Sequence, residues 1–309
     1  MRIVITGGTG FIGAELARTL LGQGHEVVVL SRSVQSAVVR VLGAESTAQG
    51  FSSEAWDGLD SNSLVPVLDG KDAVVNLIGE SIASRRWSKA QKQRIRDSRV
   101  LAGQAVTQAL KGVGSRPGVL IQGSAVGFYG DGQDRELDET AAKGQGFLAE
   151  TAEAWEGSTR EVEDLGVRRI VIRTGVVLGR GGALTKMLAP FRFFMGGPVG
   201  SGKQWFPWIH LHDQVRAIIW LLENNQALGP YNLTAPGIVS NREFSRALGK
   251  AMSRPSWLPV PGFALKAVMG EMARELLLMG QKALPAKLLD QGFAFSWPDV
   301  GPALTDILG

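Results

Sequence analysis

The sequence predicts an α/β fold: a Rossmann-like, doubly wound parallel sheet with a smaller C-terminal lobe on the substrate side. Three observations predict it. Short apolar runs rich in β-branched residues alternate with stretches of helical periodicity. A glycine-rich turn joins the first run to the first helical stretch. Beyond about residue 180 the texture changes, and the loops become rich in glycine, proline and tryptophan.

The first run, RIVIT at 2–6, lies close to glycines and reads as a buried strand. Residues 11–21 then place Phe11, Ile12, Leu16 and Leu20 at helical spacing. EVVVLSR (26–32), DAVVNLIG (72–79), GVLIQGSA (118–125) and RRIVIRTGVVLG (168–179) are further strands, with helical patterns at 88–112 and 147–165. Continuous apolar strands are what a parallel sheet covered on both faces requires. The second lobe holds GGPVGSGKQWFPW (196–208), SRPSWLPVPG (253–262) and helical patterns at 212–224, 240–252 and 263–279. The expected division is a dinucleotide-binding domain over 1–180, with sheet-completing segments to about 235, and a substrate-side lobe over 181–309.

Composition narrows the function. The chain has 309 residues, enough for a full core, and a net charge of only +4. Its basic residues are dispersed, which argues against nucleic acid as a partner. Without cysteine there are no disulfides, thiolate metal sites or cysteine nucleophiles, and a cytoplasmic location fits. MRIVITGG enters a strand directly, with no signal-peptide pattern, and no apolar run approaches the roughly 20 residues that span a bilayer. The partner expected is a small molecule rather than nucleic acid or membrane.

The glycine turn carries the sharpest signal. Gly7, Gly10 and Gly13 are spaced G-x-x-G-x-x-G between strand and helix, with Thr9, Phe11 and Ile12 between them. Gly7 permits a tight turn, Gly10 lets a pyrophosphate approach, and Gly13 lets helix and strand pack closely. The helix start then presents free N–H groups to phosphate. At the end of the second strand, where an NAD binder usually places Asp or Glu, stands Ser31-Arg32. An arginine can pair with a 2′-phosphate, so NADP is favoured over NAD; the bland alternative is a solvated charge. GPVGSGK (197–203) matches the start of a phosphate-cradling loop, but Gln204 follows where Ser or Thr is needed. It reads as a flexible glycine loop over a substrate cleft.

The glycine turn, NLIG after the fourth strand and Ser124 at the end of the fifth resemble an extended short-chain dehydrogenase/reductase. Over essentially the whole chain, ITGGTGFIG, VVNLIGESI, RTGVVLGRGGALTKMLAPF, WIHLHD and GQKALPAKLLDQGFAF resemble an atypical branch of it. That branch is the "epimerase family", NAD-dependent epimerase/dehydratase-like, with a C-terminal domain of unknown function. The resemblance implies an NADP site in which Ser31 and Arg32 hold the 2′-phosphate. It implies that Leu77, Ile78 and Gly79 line the adenosine and diphosphate side, that Arg99 points toward the cofactor, and that Val176 meets the nicotinamide. Taken alone, Leu77, Ile78 and Val176 read as core and Arg99 as a surface charge.

Ordinary members protonate the substrate oxygen with a tyrosine and a lysine four residues later, on one helix face. The two tyrosines, Tyr129 and Tyr231, are followed at that spacing by Gln133 and Ala235, so no such pair exists. In the helix FLAETAEAWE (147–156), Leu148 and Ala152 fall in the two roles. Ser124, Tyr129 and His210 are the candidate catalytic residues. Tyr129 otherwise reads as a cleft aromatic; His210 and His212 form a conceivable metal pair without a third ligand, so no metal site is expected. Glu80, Arg86, Lys203, Trp205, Phe206 and Trp208 are further candidates for the substrate side. Two functions remain open: an NADP-dependent oxidoreductase or epimerase on a carbonyl or sugar-like molecule, with a rearranged acid, and a non-catalytic NADP(H)-sensing regulator. Related folds often pair through two helices, which makes 88–112 and 147–165 the candidate homodimer surface.

Overall fold

The computed structural model describes residues 1–43 and 47–309. Its centre is a sheet of seven strands: β1 (Arg2–Thr6), β2 (Glu26–Ser31), β3 (Phe51–Ala55), β4 (Ala73–Asn76), β5 (Val119–Ala125), β6 (Arg168–Thr174) and β7 (Gly229–Leu233). The order is β7-β6-β5-β4-β1-β2-β3, and all neighbours run parallel. This is the doubly wound Rossmann-like arrangement. The order reverses between β1 and β4, so a crevice opens at the C-terminal ends of these strands.

Strand alternation feeds two cores. Ile3, Ile5, Val27 and Val29 pack on one face with Leu16 and Leu20 of α1 (Phe11–Gly22). Val4, Val28, Val74 and Leu120 pack on the other with Val106 and Leu110, which lie on the long helix 89–112. Because both faces are buried, the strands read as unbroken apolar runs. The remaining helices used below are α2 (Val34–Leu42), α3 (Lys89–Gly112), α4 (Phe147–Gly157), α5 (Gly182–Arg192), α6 (Leu211–Glu223), α7 (Asn241–Ala251) and α8 (Val300–Leu308). Helices α5, α7 and α8 close a further core with Leu184, Phe191, Trp208, Phe244, Leu248 and Leu304. Among the described residues no helix is long and apolar enough to cross a membrane.

Three elements differ from the sequence expectation. FSSEA forms the edge strand β3, although it lacks an apolar run. At an edge it is paired by backbone with β2 and needs no two-sided burial. RRIVIRTGVVLG breaks at Gly175, where a side chain would lie 2.8 Å from the Pro207 carbonyl oxygen. Val176–Leu178 then leaves the main sheet to pair with Trp208–His210. The helical pattern at 263–279 is interrupted at Gly270 (φ +64°), which ends the helix Gly262–Met269 and starts a new turn.

Candidate functional site

The glycine turn stands at the reversal point of the sheet. Gly7 has φ +70°, and a side chain on it would lie 2.9 Å from the Leu77 carbonyl carbon. A side chain on Gly13 would lie 2.4 Å from the Gly7 carbonyl oxygen, so α1 can approach the turn only with glycine there. Gly10 caps α1 without a side-chain acceptor, and the first turn of α1 has no acidic residue. The amide dipoles at this end are therefore open to an anion. The Phe11 ring fills the space left by Gly179, Gly181 and Gly182. Ile12 and Thr9 are half-buried beside it.

Register sets the rest of the crevice. Thr6 pairs with Leu30 on one side and Asn76 on the other, so Ser31-Arg32 and Leu77-Ile78 emerge at the same sheet edge as Gly7. Thr6 donates to Asn76 Oδ1 (2.6 Å), and Asn76 donates to Gln122 Oε1 (2.9 Å), a buried ladder beneath the crevice. Ser31 Oγ accepts from the Ser33 amide at 3.2 Å. Arg32 is exposed and forms no hydrogen bond or ion pair among the described residues. Ile78 packs over Gly58, and Gly79 lies so near Arg99 that a side chain on it would sit 2.8 Å from Cζ.

Beyond the crevice lies a cavity of about 330 Å³. Ala125, Leu148, Ala152, Val176, Phe191, Phe206 and Phe244 give it a largely apolar wall. The two positions where a tyrosine and lysine would act, Leu148 and Ala152, both face it. Gly197 and Val199 of the GPVGSGK loop form its far side, a wall rather than a phosphate loop. The wall has two charged residues, Arg99 and Glu275. Arg99 stands over the Trp155 ring (5.0 Å) and donates to the Ile95 carbonyl (2.8 Å). Burial pulls its pKa down to about 10, with the Glu80 charge opposing, so it stays a cation at neutral pH. Glu275 accepts from the Phe147 and Leu148 amides (2.9 and 2.8 Å) and so caps α4 from the C-terminal lobe. Thr151 Oγ1 and Trp155 Nε1, one turn apart on α4, are buried without a hydrogen-bond partner among the described residues.

The three candidate catalytic residues lie elsewhere. Alternation along β5 turns Ser124 away from the cavity, where its hydroxyl donates to Glu156 Oε1 at 2.7 Å; the neighbouring Ala125 faces the cavity instead. Glu156 is in turn held by Arg173 through two bonds of 2.9 and 3.0 Å. Tyr129 is 1% exposed and sits in this network, not in the cleft. Its phenol accepts from Arg173 (3.0 Å) and lies 2.7 Å from Asn232 Oδ1, to which it donates. Burial pushes its pKa up, against the opposing pull of Arg173, which makes it a poorer acid. His210 caps α6: its Nδ1 accepts from the His212 amide at 3.1 Å, and its ring packs on Trp297. Burial lowers its pKa despite Asp306 at 3.3 Å.

Of the further candidates, Trp205 and Phe206 line the cavity. Trp208 is fully buried in the core closed by α5, α7 and α8, and Glu80, Arg86 and Lys203 are not part of the cavity wall. Among the described residues no three His, Asp or Glu gather where a metal ion could be held. Glu275, Thr151 and Ala125 were not read as site residues from the sequence. For Ala125 and Thr151 the signal was present in the strand and helix periodicity; for Glu275, distant in the chain from α4, there was none.

The residues present fit a dinucleotide: two glycines, Gly7 and Gly13, whose side chains would collide, an uncapped helix start, and an arginine at the β2 end with no partner among the described residues. Comparison with known proteins agrees with this geometry. Residues 3–234 match the NAD dependent epimerase/dehydratase family, and residues 260–307 match a domain of unknown function, DUF1731. Epimerase family protein YfhF of Bacillus subtilis is 37% identical, covering 100% of this chain and 98% of the relative. Epimerase family protein SDR39U1 of Homo sapiens is 36% identical with full coverage of both. The crystal structure of human SDR39U1 (isoform 2) with NADPH superposes with a TM-score of 0.87, at 35% identity, over 100% of this chain and 99% of that one. A dTDP-glucose 4,6-dehydratase from Streptomyces venezuelae, at 18% identity and a TM-score of 0.81, shares the fold. The chain belongs to the NAD dependent epimerase/dehydratase family.

Proposed function

We propose that the protein binds NADP(H) at the β1, β2 and β4 ends and exchanges hydride with a small, largely apolar carbonyl compound or its alcohol in the adjoining cavity. The observation that carries this reading is the cavity itself: Val176, Ala125, Leu148 and Ala152 line a largely apolar space next to the dinucleotide crevice. Binding of NADPH by the human relative supports the cofactor, and Arg32 supports the 2′-phosphate. Leu148, Phe191, Phe206 and Phe244 favour an apolar body on the substrate, and Gln204, Asn241 and Gln281 leave a few polar contacts to orient it.

Bound NADPH supplies the hydride. The chain's own contribution is electrostatic and steric. Arg99 places a fixed positive charge at the cavity, where charge develops on the substrate oxygen. The apolar wall lowers the local dielectric and raises the worth of that charge. Leu148 and Ala152, at the two positions of the usual acid pair, cannot exchange a proton, so protonation falls to water entering from the open side of the cavity. An epimerase would use the same exchange in both directions on one molecule.

A second reading is favoured by that same lack of an acid: a non-catalytic regulator that reads NADP⁺ against NADPH. The test is to titrate NADPH into the protein and then assay a panel of apolar aldehydes and ketones for NADPH oxidation. Turnover that disappears in Ala125→Trp, with NADPH affinity kept, supports the enzyme. Tight NADPH binding without turnover, together with partner capture that differs between NADP⁺ and NADPH, supports the regulator.

A further inference from the structure

The outer side of the cavity wall carries an unusual surface. Phe193 (72% exposed), Phe194 (55%), Trp257 (71%) and Phe263 (79%) are the four strongly exposed aromatics among the described residues. All four belong to two adjoining segments, together with Met195, Leu258 and Val268. Backbone bonds knit the segments: the Leu258 amide to the Gly196 carbonyl (3.1 Å), Val260 to Pro198 (2.9 Å) and Gly200 to Val260 (2.9 Å). Arg254 lies over the Phe194 ring at 4.6 Å. Monomeric proteins rarely leave such an apolar patch open to water without a use for it.

Two features set the patch apart from accidental exposure. Helix Gly262–Met269, sequence GFALKAVM, has six apolar residues and one charge, yet buries none of them fully. Phe194 has φ +60°, a conformation that bulky side chains rarely adopt, and it holds the ring outward. The charge on and between these segments is mostly positive. Arg192, Lys250, Arg254 and Lys266 are exposed around the aromatics. No acidic residue occurs from Gly182 to His212, and Glu243 is the sole one from Gly229 to Gly270, where it is tied into the cap of α7. Aromatic rings beside lysine and arginine are the composition of a surface that sits in a lipid headgroup layer.

We propose that this face docks on an anionic lipid bilayer, with Phe193, Phe194, Trp257 and Phe263 entering the headgroup layer and Arg192, Lys250, Arg254 and Lys266 pairing with lipid phosphates. The patch backs directly onto the cavity, whose wall includes Phe191, Gly197, Val199 and Val260. Docking places that cavity next to the bilayer, and its apolar wall then takes a substrate dissolved in lipid. This last step rests on the proposed function; the docking does not.

The test is sedimentation of the full chain with vesicles of phosphatidylcholine alone and of equimolar phosphatidylcholine and phosphatidylglycerol. The expected result is binding to the anionic vesicles roughly tenfold or more above the neutral ones, weakened by salt. Phe194→Ser with Trp257→Ser, and separately Lys250→Glu with Lys266→Glu, should each lose that binding while keeping the circular dichroism spectrum and NADPH affinity. Leu101→Ser, an exposed apolar residue on α3, should change nothing. Equal binding to both vesicle types, or unchanged binding of both double variants, overturns the proposal. So does a dimer, seen by sedimentation equilibrium, that the Ser variant converts to monomer, since the patch would then be a self-interface. Failure of carbonyl turnover leaves the docking result intact.

Discussion

Replacing Arg32 by glutamate should separate NADPH from NADH. Arg32 is exposed and holds no internal partner among the described residues, so nothing is broken when it engages a ligand. Its charge-assisted bonds to a 2′-phosphate are then a net gain of about 1.5–3 kcal/mol. Glutamate loses that gain and adds repulsion of about 1 kcal/mol across a solvated contact. The sum, about 2.5–4 kcal/mol, corresponds to a fall in NADPH affinity of roughly 70- to 900-fold. NADH has no 2′-phosphate, and its affinity should stay within about threefold, since Arg32 is screened from the rest of the dinucleotide by water. Fluorescence titration of each nucleotide reads both numbers on one preparation. The thermal midpoint should not move, because an exposed, unpaired side chain contributes little to folding. Equal losses for NADPH and NADH, or no loss for NADPH, would refute the assignment of Arg32 to the phosphate.

Three further outcomes follow from the geometry. Gly13→Ala pushes a methyl to within 2.4 Å of the Gly7 oxygen, so α1 must shift. Isothermal titration should show NADPH affinity reduced at least tenfold, and denaturant melts a stability loss of about 1–3 kcal/mol. Tyr129→Phe removes a buried phenol from Arg173 and Asn232, and should cost about 1–3 kcal/mol of stability with NADPH affinity and any turnover unchanged. A turnover loss at unchanged stability would return Tyr129 to the chemistry. For His210, burial lowers the folded pKa below its ordinary value of about 6.5, with Asp306 and Asp213 opposing and His212 reinforcing. The unfolded chain therefore binds the proton first, and stability falls as pH drops below about 6.5 toward the folded value. His210→Asn keeps a helix-capping acceptor and should remove that dependence, read as the denaturant midpoint across pH.

The sheet was legible because parallel strands buried on both faces must be apolar throughout: RIVIT, EVVVLSR and GVLIQGSA could hardly be anything else. The edge strand FSSEA was not, because its position depends on pairing with β2 rather than on its own composition. The glycine turn was legible for a similar reason, since Gly7 and Gly13 occupy places where any side chain collides. Leu148 and Ala152, the two residues the sequence sets in the tyrosine and lysine positions, both face the cavity. Ser124 lies off the cavity wall by one residue of strand phase, which a two-residue alternation makes decisive for where a side chain points. The buried setting of Tyr129 was not legible because its partners, Arg173 and Asn232, lie 44 and 103 residues away. His210 could have been read as a cap, because it stands directly before α6 with Asp213 in the first turn. The cap that Glu275 places on α4 comes from 128 residues beyond Phe147, and no local pattern announces it.

Hydride transfer into the apolar cavity is most directly tested with NADPH deuterated at nicotinamide C4. The protein would be incubated with it and a mixture of apolar aldehydes and ketones, and the products analysed by mass spectrometry. The account predicts deuterium on the carbinol carbon of at least one product, and none with Ala125→Trp, whose indole fills the cavity. No deuterated product from a protein that binds NADPH would contradict it.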